Sequence, residues 1–149
     1  MKNKLASMAL ITLLLVSVTA CSDTTLQKVS KDMLIVATTV GTIQDDVIAA
    51  NTAKLISDKT TADILGVCQK VNVAGKQVNA ILASISKIDP ASKSSLLVIL
   101  TQVSNSLDPT QLEFVAGIKD PGTKQKIEGG LVVMRTALSG IQLILAGGK

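Results

Sequence analysis

Apolar side chains recur along this chain at alternating spacings of three and four, and that rhythm restricts it to helices that each bury one face. Leu26, Val29, Met33, Val36, Val40, Ile43, Val47 and Ala50 keep the rhythm without a break. They therefore form one stripe along a helix. The spacing predicts a first helix over 24–53. Leu34 to Val40 would suit a strand by propensity, yet it lies inside the longer helical period and no turn residue brackets it. Gly41 weakens the middle of this helix by about 1 kcal/mol relative to alanine and marks a place for a kink or a close helix crossing.

Leu55-Ile56-Ser57-Asp58 reads as a short connector. Ser57 can accept hydrogen bonds from the free amides of a second helix, and Asp58 complements its dipole. That helix is expected to reach Ile88, with Ile64, Cys68, Val71, Gly75, Val78, Leu82 and Ile85 as its seam. The prolines all follow aspartate, at Asp89-Pro90, Asp108-Pro109 and Asp120-Pro121. Each pair supplies an N-cap carboxylate and then a residue whose missing amide proton costs nothing at the first helical position. They mark a third helix to Ser106, a short fourth helix to Ile118 and a final helix from Gly122 to Ala146, ended by Gly147-Gly148. Capping accounts for each aspartate singly, so pairing them as catalytic acids is not needed.

The final helix carries Ile127, Leu131, Met134, Leu138, Ile141 and Leu145 on one stripe, with Val133, Ala137, Gly140 and Ile144 expected to widen it. Leu96 to Leu100 is an unbroken apolar run, which predicts burial of the third helix on more than one side. The apolar run 131–146 is shorter than the roughly 20 residues that cross a bilayer and includes Arg135 and Gln142, so a core helix is expected there. Short connections between long helices make neighbours antiparallel. The fold class is all-α, an up-and-down helical bundle of about four helices. Val, Ile, Ala and Ser are common where helix propensity would favour Leu, Lys and Glu, so packing must hold the helices.

Ahead of this domain lies a leader. Met1-Lys2-Asn3-Lys4 is a positive n-region, Leu5 to Ser17 is an apolar h-region, and the small residues of Val18-Thr19-Ala20 precede Cys21, as in a secretory signal. Val18, Thr19, Ala20 and Cys21 resemble the lipobox of bacterial lipoproteins. The resemblance implies that a diacylglyceryl group is attached to the Cys21 thiol, that residues 1–20 are removed, and that Cys21, acylated on its new amino group, anchors a single domain over 21–149. Two or three acyl chains exceed what a single chain gives, marginal and reversible binding. Ser22 in the following position resembles outer-membrane sorting, which implies the periplasmic face of the outer membrane or the cell surface.

Once Lys2 and Lys4 leave with the leader, 13 of the 15 cations remain against 11 acids. With that near balance, no Trp or Tyr and Phe114 as the sole aromatic, the chain has no stacking platform or basic stripe for nucleic acid. Histidine is absent, which excludes Cys/His and Ser/His/Asp catalysis and His-based metal sites. Asp45-Asp46 is the only adjacent acidic pair, and neighbouring helical side chains diverge by about 100° instead of converging on a metal. Cys68 falls in register with Ile64 and Val71, as a buried thiol would, while an intermolecular disulfide or a reactive nucleophile are the sharper alternatives. No catalytic residue, metal or cofactor is indicated. The expected role is a non-enzymatic interaction or structural module with an envelope protein as partner. Alternatives are a carrier of a lipid or small apolar ligand, which requires an interior void such as one lined by Val133, Ala137 and Gly140, and a phage-encoded or defensive envelope lipoprotein.

Overall fold

The computed structural model of the protein describes residues 24–108 and 112–147. The leader, the lipobox with Cys21, Pro109 and Gly148 lie outside these residues. The described chain is helical, in the order α1 (Thr24–Thr52), α2 (Asp58–Ser84), α3 (Pro90–Ser106), α4 (Glu113–Ala116) and α5 (Pro121–Ala146). No strand occurs among the described residues.

The apolar rhythm of α1 is its buried face. Val29, Met33, Val36, Val40, Ile43, Val47 and Ala50 are all buried, with Leu26 partly covered at the start. The helix ends in a Schellman turn, in which the amide of Leu55 donates to the carbonyl of Ala50 at 2.9 Å and Lys54 takes a left-handed φ of 62°. This position usually belongs to glycine or asparagine, so the residue types gave no sign of it. The turn is braced by the Asn51 amide, which donates to Asp58 Oδ1 at 2.8 Å. Ser57 then caps α2 by accepting from the Thr60 amide.

Side-chain contacts between helices fix the direction of each. Asn51 meets Asp58 at one end of the α1–α2 pair, and a Cβ added at Gly75 would lie 3.6 Å from Met33. These two helices are therefore antiparallel. Lys126 pairs with Asp46 at 3.8 Å, Gly130 lies against Ile43 and Thr39, and Gly140 lies against Asp32. As α5 ascends in number α1 descends, so they too are antiparallel. α2 also packs on α3, and α3 on α5. The four long helices thus close into an up-and-down ring in which α1 is flanked by α2 and α5. One end of the ring holds the start of α1, the α2–α3 connector and the end of α5. The other holds the α1–α2 turn and the start of α5.

The structure departs from the sequence expectations in four places. α2 stops at Ser84 rather than Ile88, because Ile85 is already extended (φ −122°, ψ 144°) and the chain must enter Asp89-Pro90 from a non-helical conformation. The described fourth helix is one turn, Glu113–Ala116, which stops short of Ile118 and has Leu112 at its N-cap with no side-chain cap, while the expected start at Pro109 lies outside the described residues. Here Leu107, Leu112, Val115 and Ile118 are each buried, and pinning these four side chains over the ring outweighs continuing a helix too short to stand alone. α3 is not covered all round: Leu96 and Leu100 are inside and Leu97 and Ile99 partly covered, while Val98 is 55% exposed. On α5, Ala137 is buried but Val133 is 45% exposed, so it does not widen the stripe.

α1 and α5 are each long and apolar enough to cross a membrane by length and composition. About a third of the residues in each apolar window are buried within the bundle, the share that an amphipathic core-facing stripe occupies.

Candidate functional site

The residues of the lipobox, Val18, Thr19, Ala20 and Cys21, precede the described residues, and the bundle that follows begins at Thr24. Only Ser22 and Asp23 separate Cys21 from α1. The Cα of Cys21 is therefore within about 11 Å of the helix start, the reach of three extended residues.

Cys68 is 1% exposed in the α2 seam, beside Ile64 and Val71 on the same stripe. Burial pushes its thiol up to about 11, against a smaller opposing effect of a backbone hydrogen bond. A thiol that hard to ionise is a poor nucleophile, since the thiolate is the reactive form. Cys68 serves here as a small core side chain.

The two described aspartate-proline pairs cap helices. Asp89 Oδ1 accepts from the Ser92 amide and Asp120 Oδ2 from the Thr123 amide, each at 2.7 Å. These hydrogen bonds hold both carboxyls below their ordinary value. Asp108 is not adjoined by a described helix start. Asp46 turns to Lys126, while Asp45 is exposed, so the adjacent pair diverges as helical geometry requires. Among the described residues no three of Cys, Asp or Glu converge as a metal-ligand group.

A concavity lies between α2 and the α3–α4 segment, an open groove of about 700 Å³. It exists because α3 spans 17 residues beside an α2 of 27, which leaves the upper part of α2 without a full-length neighbour. Gly66 supplies the floor, since nothing lies within 4 Å of the position its Cβ would take. Asp63, Lys70, Asn105, Ser106 and Asp108 offer polar groups, and Val67 and Phe114 offer apolar ones. Asp63 also pairs with Lys59 at 2.9 Å along α2. A second groove of about 650 Å³ runs between α4 and α5, with Leu131 and Val132 beside Glu113, Glu128 and Arg135. Both are open surfaces of mixed character, suited to receiving side chains of another chain more than enclosing a small molecule. Neither groove was legible in the sequence, because both follow from the unequal lengths of α2 and α3 and from the path of the α3–α5 connection. The void expected from Val133, Ala137 and Gly140 is not formed by those residues, since Val133 faces out and Gly140 lies against Asp32.

Comparison with protein-family models, with curated proteins and with solved structures gives no match.

Proposed function

We propose that this protein is a non-enzymatic module of the bacterial cell envelope, held to a membrane by lipid on Cys21 and presenting its helical bundle to an envelope protein partner. The observation that carries the reading is the Val18-Thr19-Ala20-Cys21 lipobox set two residues ahead of a helical bundle. Residues 1–20 serve as the signal peptide, and the outer membrane, on its periplasmic face or at the surface, is the destination that Ser22 favours. The groove over Gly66 is where the partner docks, because it joins polar groups to the chain's sole aromatic side chain, Phe114.

In-cell crosslinking followed by purification of the tagged lipoprotein tests this. The reading expects one stoichiometric protein partner whose crosslink is lost in Gly66→Leu, a change that fills the groove at a helical site where an added Cβ meets nothing within 4 Å, while the helical circular dichroism is retained. Copurification of a defined lipid without a protein, or a partner indifferent to Gly66→Leu, would contradict it.

A further inference from the structure

We infer that the end of the bundle carrying the start of α1 is a docking surface for anionic phospholipid headgroups. This rests on the lipid-anchor reading. The contacts of Gly75 with Met33 and of Gly140 with Asp32 place the start of α1, the end of α2, the start of α3 and the end of α5 at one end. Among the described residues that end carries Lys28, Lys31, Lys76, Lys87 and Lys93, against Asp32 and Asp89. Elsewhere in the described bundle carboxylates and cations nearly balance, and the ion pairs Lys59–Asp63, Lys124–Glu128 and Lys126–Asp46 lie there. None of the five lysines forms an ion pair among the described residues. Asp89 is occupied by the Ser92 amide. Leu143, 63% exposed and the most exposed large apolar side chain described, sits on the last turns of α5 at the same end. Cations beside an exposed apolar side chain are the composition that binds a lipid interface.

The short link from Cys21 makes the arrangement consequential. Three residue steps span at most about 11 Å, so a lipidated Cys21 holds the start of α1 within about one and a half Debye lengths of the headgroups at physiological salt. A tether that short leaves the screening between the nearest lysines and an anionic surface incomplete. At about a fivefold gain for each net charge at such a surface, reduced by partial screening at this distance, the upright, lysine-down orientation outweighs others by on the order of tenfold.

Lysine footprinting tests the inference. The mature chain from Cys21 is coupled through that thiol to a maleimide-headgroup lipid, Cys68 being buried, and inserted into vesicles of phosphatidylcholine alone or with one-third phosphatidylglycerol. A water-soluble acetylating reagent is applied at low occupancy, and each lysine is read by mass spectrometry. The expected result is slowing of Lys28, Lys31, Lys87 and Lys93 by about fivefold or more in the anionic vesicles, reversed by 0.5 M salt, with Lys54, Lys59 and Lys119 unchanged. Equal rates in the two lipids, or slowing of Lys54 and Lys119 instead, would overturn it. Protection that occurs in native envelopes but not in anionic vesicles would overturn it as well and point to a protein at this end. Because the coupling is chemical, the result stands apart from whether cells lipidate Cys21, which the mass of the native N-terminal peptide decides.

Discussion

Gly129 and Gly130 are neighbours in one helix, and the bundle predicts opposite consequences for replacing them by alanine. A Cβ at Gly129 would meet nothing within 4 Å, whereas one at Gly130 would lie 2.7 Å from both Cδ1 and Cγ1 of Ile43. Alanine is favoured over glycine by about 1 kcal/mol inside a helix, so Gly129→Ala should gain about that much. At Gly130 the same gain is opposed by overpacking. Ile43 is buried and β-branched, so its Cγ1 cannot yield without leaving a favoured rotamer or moving α1, at a cost of about 1–3 kcal/mol. The net expectation for Gly130→Ala is a loss of roughly 0–2 kcal/mol, and the gap between the two variants is about 1–3 kcal/mol. Urea denaturation followed by circular dichroism resolves a gap of that size. A double-mutant cycle sharpens the test: Ile43→Ala costs about 2–5 kcal/mol alone and should cost less beside Gly130→Ala, because the added methyl enters the space vacated. Equal stabilisation by the two alanines, with additive effects in the cycle, would refute the antiparallel contact of α1 with α5.

Cys68 should resist thiol reagents in the native protein at pH 8 and react promptly once urea unfolds it; rapid native labelling would contradict its burial. The caps at Asp89 and Asp120 have folded pKa values below the ordinary 3.8, so their contribution to stability is full above that value and is lost as the pH falls through the lower folded values. Asp89→Asn with Asp120→Asn, which keeps a capping oxygen, should flatten the decline in melting temperature between about pH 5 and 2. On α3, Leu96→Ala should cost about 2–5 kcal/mol while Val98→Lys changes stability by no more than about 0.5 kcal/mol, and a comparable loss at Val98 would show that α3 is covered on both sides.

The sequence made the seams of α1, α2 and α5 legible because a helical stripe depends only on spacing. Every position from Val29 to Ala50 on the α1 stripe is buried as its period requires, and Ser57, Asp89 and Asp120 cap where side chains with free oxygens precede helix starts. What spacing could not reveal was the partner of each face. Leu96 to Leu100 is apolar throughout, yet Val98 is left exposed, because α3 lies at the rim of the ring and not at its centre. Glycine number was equally silent about crowding. Gly41, in the middle of α1, faces open space, while Gly130 is where α1 and α5 come closest among the glycines. A short fourth helix is present between α3 and α5, but its described part is one turn long and opens after Leu112, because the pull of buried Leu112, Val115 and Ile118 is a tertiary effect that no local residue announces. For the candidate site the division is similar. The proposed anchor rests on residues 18–21 alone, whereas the groove over Gly66 and the lysine-bearing end emerge only once the helices are placed against each other.

The anchor itself is tested most directly by mass spectrometry of the N-terminal peptide of the protein purified from membranes. The account predicts that the peptide begins at Cys21 and carries a diacylglyceryl group on its thiol, and that Cys21→Ser removes the modification and releases the protein from the membrane fraction or stalls its precursor. A mature peptide that retains residues 1–20, or one that begins elsewhere with an unmodified Cys21, would contradict it.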